Sequence, residues 1–105
     1  MTTEQVRFYS QGKALAGTLM LPDGASSLTP VPAVAQGPGW LGLRDAKLYQ
    51  PYHEGLLGAG IAVLVFDYRG FGDSEGDATY LDPMTQVADY RAAVDYLAGR
   101  EEIDA

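Results

Sequence analysis

Residues 61–66, Ile-Ala-Val-Leu-Val-Phe, form an apolar run of β-branched and aliphatic side chains that breaks at Asp67-Tyr68-Arg69-Gly70-Phe71-Gly72-Asp73-Ser74-Glu75-Gly76. A strand without polar alternation is covered on both faces, the habit of parallel strands in α/β proteins. The change from apolar run to Asp, then to an Arg-Gly-aromatic-Gly turn, is how such a strand delivers polar groups to the carboxyl edge of its sheet.

The rest of the chain reads as elements that build around that strand. Val6-Arg7-Phe8-Tyr9 and residues 15–21 are two strands, with Gln11-Gly12-Lys13 as a hairpin turn. Pro22-Asp23-Gly24 ends the second, and a Ser/Pro loop follows. Residues 31–35 are a short third strand whose regular pairing starts at Ala33, because Pro32 has no N–H to give. Gln36-Gly37-Pro38-Gly39-Trp40-Leu41-Gly42 is a glycine-dense loop. Asp45 can cap a helix running to about Leu57, with Leu48, Tyr49, Tyr52 and Leu56 at near-helical spacing. Pro51 is tolerated only near a first turn, which favours a later start. Asp82-Pro83 joins an N-cap acceptor to a proline at the first helical position. Val87, Tyr90, Val94 and Leu97 then form one apolar stripe on a helix ending near Gly99.

Composition sets the limits. The 105 residues make one domain, and 47% apolar residues are enough for a core. The absence of Cys excludes disulfides and thiolate metal sites, and a single His excludes the usual zinc constellations. Met1-Thr2-Thr3-Glu4-Gln5 has neither the basic start nor the apolar run of a signal peptide. The longest apolar run, residues 55–66, is well short of the roughly 20 residues a membrane helix needs. A soluble cytoplasmic protein is the expectation. The net charge of −7 lies entirely in residues 66–105, since the acids and bases of residues 1–65 cancel. That acidic half disfavours nucleic acid and anionic membranes and reads as a solvated loop and helix face.

Three places in this pattern carry a resemblance: Gln36-Gly37-Pro38-Gly39, Asp67-Tyr68-Arg69-Gly70-Phe71-Gly72, and the helix from Asp89 to Leu97. Together with the order strand, strand, strand, helix, strand, helix, the chain resembles the α/β-hydrolases. The branch with dienelactone hydrolases, acetylxylan esterases and prolyl-peptidase-like enzymes is the nearest. The resemblance covers residues 1–105 as the N-terminal portion of a single α/β-hydrolase domain, about the first 40% of a typical one. It implies an antiparallel hairpin followed by parallel strands with flanking helices, and it implies no cofactor. In that family the nucleophile elbow, the acid and the His come later than these residues. The chain therefore looks like a front half, a subunit or a cleavage fragment, with none of the three catalytic residues.

The family's loop after the third strand binds the oxyanion of a tetrahedral intermediate through a backbone N–H just after its glycine. Here Gln36 stands where the family usually has a loop-bracing His, and an amide can brace as well. Pro38 stands where the N–H donor is common, and proline has none. The expected oxyanion donors are thus Gly39 and Trp40, with Trp40, Pro38 and Tyr68 as substrate-binding residues.

Other residues invite a functional reading that their context weakens. Gly72-Asp73-Ser74-Glu75-Gly76 matches G-x-S-x-G, but an elbow needs a strand running straight into the turn and a helix leaving it at once. Two flanking acids also raise a hydroxyl's pKa instead of activating it. Ser74 is read as a loop residue and His53 as a partly exposed helix histidine. Asp67 is expected to pair with Arg69 and pin the loop. Gly37-x-Gly39-x-x-Gly42 has dinucleotide spacing, yet Pro38 removes a phosphate-facing N–H and no acid follows about 20 residues on.

In the hydrolase arrangement the third strand lies between the fourth and fifth. Without the fifth it presents an open apolar edge lacking protective charges. The expectation is a second polypeptide carrying strand five and the Ser/Asp/His triad, forming a heterodimer that acts on a small-molecule acyl substrate. The expected activity is serine-hydrolase cleavage of an ester, amide or related acyl bond. The other readings are a non-catalytic binding or scaffold fragment, and a hydrolase-fold enzyme doing acyl transfer or C–C bond cleavage.

Overall fold

A computed structural model describes residues 1–37, 49–76 and 83–104. Strands β1 (Thr2–Ser10) and β2 (Lys13–Leu21) form an antiparallel hairpin. Ser10 pairs with Lys13, and the two residues between them both take positive φ, 48° at Gln11 and 81° at Gly12. A two-residue loop of that hand matches the twist of the strands it joins. Strand β3 (Ala33–Gln36) pairs in parallel with β4 (Ala62–Phe66), and β4 pairs antiparallel with β2. The sheet order is β1-β2-β4-β3, a mixed sheet. Regular pairing of β3 starts at Ala33, while Pro32 contributes only its carbonyl, accepting from the Ala62 N–H.

Two helices cover the sheet. Helix α1 (Gln50–Gly58) has Pro51 in its first turn and so begins later than a start capped by Asp45; Asp45 and Leu48 lie outside the described residues. It ends in a Schellman-type cap, with Gly60 at φ 81° and the Ile61 N–H reaching back to the Leu56 carbonyl. Helix α2 (Pro83–Ala98) lies against β1, β3 and β4. The core joins Phe8, Leu15, Leu19, Leu64 and Phe66 from the sheet to Ala93 and Leu97 from α2. Every residue of β4 is buried, as its unbroken apolar run requires.

The stripe read from the sequence of α2 is placed differently. Only Leu97 is buried; Val87, Tyr90 and Val94 are 45%, 36% and 51% exposed. The face turned to the sheet carries Asp89, Ala93 and Leu97, spaced four apart. Small Ala93 lets the helix come close, and Asp89 is drawn inward by the Arg69 guanidinium. On α1 the apolar reading also shifts: Tyr52 is exposed and His53 is the buried residue.

The outer side of β3 is nearly open. Val31 forms an isolated parallel bridge with Ile103, its N–H donating to the Glu102 carbonyl and its carbonyl accepting from Asp104. Beyond that bridge, among the described residues, Ala33–Gln36 have β4 as their sole strand neighbour, and Val34 is 38% exposed. Among the described residues no helix is long and apolar enough to cross a membrane.

Candidate functional site

The carboxyl ends of β3 and β4 lie side by side, and three successive residues leaving β3 are each held by a different element. The Ala35 carbonyl accepts from the Tyr90 hydroxyl of α2. The Gln36 side chain meets His53 of α1, with 2.6 Å between His53 Nε2 and Gln36 Oε1. Gly37 packs under Tyr68, which follows β4: a Cβ built on Gly37 would collide with the Tyr68 hydroxyl and lie 3.0 Å from the Tyr90 ring. Glycine is required there by close approach, since any side chain would displace a phenol.

His53 is therefore not the partly exposed helix residue its sequence context suggests. It is 7% exposed, with the Tyr49 ring tilted across it at 6.5 Å. Burial lowers its pKa, which favours the neutral ring. With the Gln36 carbonyl oxygen as acceptor, the ring proton sits on Nε2. At the position where the family usually has a His, Gln36 has a histidine as its side-chain partner.

Tyr68 lies half-buried at this edge, its ring edge-on to Phe66 at 5.2 Å. Burial pushes its phenol pKa up, and Tyr90, Asp89 and Tyr49 add to that. It stays protonated. Pro38, Gly39 and Trp40, the other residues expected to donate or bind, lie outside the described residues. Beside Tyr68, an open groove of about 690 Å³ runs along the exposed side of α2 past Val87, Tyr90 and Val94.

The loop after β4 is held by its own polar groups. Arg69 does not pair with Asp67, as the sequence suggested, but with Asp89. Its backbone N–H donates to Asp89 Oδ2 at 2.9 Å, while Nε and Nη2 donate to Oδ1 at 2.9 and 2.7 Å. Nη2 also reaches Ser10 and Gln11, so one guanidinium ties the loop to α2 and to the β1–β2 hairpin. Asp67 instead turns inward against Gly72, whose φ of 51° brings the chain within reach, and accepts from the Asp73 N–H at 3.3 Å.

Ser74 completes the sheet. Its hydroxyl donates to the Asp67 carbonyl at 2.6 Å and accepts from the Ala16 N–H at 2.8 Å. Glu75 extends the same pairing to Ala14 through both backbone and carboxylate. Residues 67–75 thus continue along β2 where β4 leaves off, using side-chain oxygens in place of backbone acceptors. Strand β4 ends at Phe66, eight residues before Ser74, so no strand runs straight into the serine as an elbow requires, and among the described residues the next helix starts at Pro83.

Sequence reasoning misses the inward role of Asp89. The signal is there: Asp89, Ala93 and Leu97 share a helix face, and a carboxylate on a buried face demands a cation. Tyr90 fits the stripe by its apolar ring, but its hydroxyl is what fixes β3. Among the described residues no group of three His, Asp or Glu is placed to hold a metal ion.

Comparison with known proteins agrees with this geometry. The quorum-quenching protein AidA of Acinetobacter baumannii (strain MDR-ZJ06) is 42% identical over 77 residues, which are 72% of this chain and 24% of that protein. Among solved structures, the α/β hydrolase GrgF from Penicillium sp. sh18 superposes with a TM-score of 0.82 at 25% identity, over 95% of this chain and 33% of its own. Est1E from Butyrivibrio proteoclasticus, solved with ferulic acid bound, gives 0.82 at 20% identity over 94% of this chain and 39% of its own, a likeness of fold. The chain thus spans well under half the length of each of these proteins. Its sheet is the N-terminal part of an α/β-hydrolase fold, and the X-Pro dipeptidyl-peptidase (S15 family) model matches residues 11–104. The chain belongs to that family.

Proposed function

We propose that this chain forms the front of a serine-hydrolase site that cleaves an ester, amide or related acyl bond, supplying the oxyanion loop and part of the sheet. A second polypeptide adds a strand to the outer edge of β3 and brings the Ser nucleophile with its His and Asp. The Ser attacks the carbonyl, the His–Asp pair moves the proton to the leaving group, and the N–H groups of Gly39 and Trp40 hold the oxyanion. Pro38 cannot donate, so the loop relies on the residues after it. Trp40, Pro38 and Tyr68 line the acyl side.

The observation that carries this reading is the triple hold on Ala35, Gln36 and Gly37 by Tyr90, His53 and Tyr68. A donor loop must be rigid before the reaction, because preorganised dipoles need no rearrangement at the transition state. The open edge of β3 and the exposed Val87, Tyr90 and Val94 supply contiguous surface for the added strand and its neighbouring elements. The family match and the hydrolase and esterase relatives support the reaction class.

Gly39→Pro tests it. The substitution removes one N–H, and losing one oxyanion donor costs about 3 kcal/mol of transition-state stabilisation. The expected result is a fall in kcat toward an acyl ester with assembly of the two chains unchanged by size-exclusion chromatography. An unchanged kcat overturns the loop's assignment.

A further inference from the structure

We infer that β1 is an interface, its outer edge pairing antiparallel with β1 of a second copy of this chain about a twofold axis at Val6.

The backbone of β2 shows which way β1 faces. The Ala14 carbonyl accepts from the Glu75 N–H and the Ala16 carbonyl from the Asp67 N–H, while the Ala14 and Ala16 N–H groups donate to the Glu75 and Ser74 side chains. Both alanines thus turn their backbone away from β1. Leu15 and Gly17, which alternate with them, are the residues that bond to β1, opposite Phe8 and Val6. By the same alternation Thr3, Gln5, Arg7 and Tyr9 present their backbone to the outside, where no strand stands among the described residues.

That edge carries none of the devices that keep edge strands apart. It is nine residues long, holds neither Pro nor Lys, and runs from Thr2 to Ser10 against β2 without a bulge. Its charges, Glu4 and Arg7, cancel, although the whole chain carries −7. Glu4 is also held by Arg100 at 2.7 Å.

The strand is its own complement. Outward-facing residues pair with outward-facing residues, so a central twofold falls at Gln5, Val6 or Arg7. An axis at Arg7 opposes two arginines, which destabilises a pair of strands. An axis at Val6 pairs the whole of Thr2–Ser10. It sets Val6 against Val6, Gln5 against Arg7 and Thr3 against Tyr9, so apolar meets apolar, β-branched meets aromatic, and no like charges meet. Phe8 stacks on Tyr96 of α2, so the Thr2, Glu4 and Val6 side chains of the second copy enter on the α2 side. A groove of about 930 Å³ between β1 and α2, bounded by Phe8, Ala88, Arg91, Ala92 and Asp95, has room for them. Glu4 arrives already paired with Arg100, so no lone charge enters it. β1 and β3 are opposite edges of the sheet, and the dimer leaves the β3 edge open.

The test uses the full assembled protein that contains residues 1–105. Arg7→Pro removes an outward N–H and no bond to β2, whereas Arg7→Ala removes only the side chain. In sedimentation velocity the wild type is expected to be a dimer of the assembled protein that dissociates on dilution. Arg7→Pro is expected to raise the dimer Kd about tenfold or more, because each copy loses a hydrogen bond, and Arg7→Ala to change it less. Val6→Cys reads the register and stands even where Arg7→Pro fails to fold. Facing residues at such a position have Cα atoms about 4.5 Å apart, within reach of a disulfide.

Mild oxidation of Val6→Cys is expected to join two copies through residue 6, found by peptide mapping, while Arg7→Cys forms no such link. A wild type that stays a single copy at the highest concentration reached overturns the inference. So does a dimer that keeps its Kd in Arg7→Pro and forms no link through residue 6, since another surface then joins the copies. A residue-6 link to a different polypeptide, or slow exchange of the Arg7 and Tyr9 amides in a single copy, gives the edge to another strand and overturns it as well.

Discussion

Asp89 is fully buried and spends both carboxylate oxygens on one residue, accepting three hydrogen bonds from the backbone and guanidinium of Arg69. The pair fastens the loop after β4 to α2, and Arg69 carries the tie on to Ser10 and Gln11. Removing Arg69 leaves Asp89 as a buried, unpaired carboxylate. Arg69→Ala is therefore expected to destabilise the protein by roughly 3–5 kcal/mol. Urea unfolding of the variant and the wild type measures it. A loss below about 1 kcal/mol, the range of an exposed ion pair, would show that this pair is not what anchors the loop.

How much of this is legible in the sequence depends on what each residue's neighbours are. The hairpin, the start of β3 at Ala33 and the buried β4 all follow from local rules: turn chemistry, proline's missing N–H, and a run without polar alternation. Helix α2 is equally legible as a helix, but its inward face is not. Val87, Tyr90 and Val94 have the right spacing for a core, yet the sheet takes the Asp89–Ala93–Leu97 face. An ion pair between residues twenty apart decides that, and periodicity does not register such a partner. His53 escapes a local reading for the same reason, because its burial depends on Gln36, seventeen residues earlier in another element. Of the expected site, Tyr68 stands at the edge the sequence implies, whereas Pro38, Gly39 and Trp40 lie outside the described residues.

His53 also gives a pH dependence with a definite sign. Its folded pKa lies below the ordinary 6.5 because burial disfavours the charged ring. The unfolded chain thus takes up a proton first as the pH falls below 6.5, and this draws the equilibrium toward unfolding. The contribution is flat above that pH, declines as the pH drops toward the folded pKa, and levels off below it. The difference in stability between wild type and His53→Gln should therefore shift against the wild type between about pH 7.5 and pH 5.5. Denaturant midpoints at the two values check it, and a constant difference would contradict the burial of a neutral ring.

Ser74 stands in for a backbone acceptor and donor beside β2, so its loss should be felt in stability and not in chemistry. Ser74→Ala leaves the Ala16 N–H without its acceptor, and a cost of about 1–3 kcal/mol is expected from an unsatisfied buried group. Ester hydrolysis by the folded fraction should keep its wild-type kcat. Abolished turnover in a variant that is still folded would return Ser74 to the role of nucleophile.

Gly37 is fixed by space. An added methyl would overlap the Tyr68 hydroxyl and come within 2.8 Å of its ring carbon, and Tyr90 limits any move to the other side. Gly37→Ala is expected to cost about 1–3 kcal/mol, the usual range for overpacking. Pairing it with Tyr68→Leu should cancel much of that cost, and a double-mutant cycle reads the coupling. Simple additivity would show that the two residues do not touch.

The central claim is that this chain frames a serine-hydrolase site whose nucleophile lies outside residues 1–105. Labelling the native, assembled protein with a fluorophosphonate, followed by peptide mass mapping, tests it most directly. The account predicts one adduct, on a serine outside residues 1–105, with Ser74 unmodified. An adduct on Ser74, or on any other of residues 1–105, would contradict it.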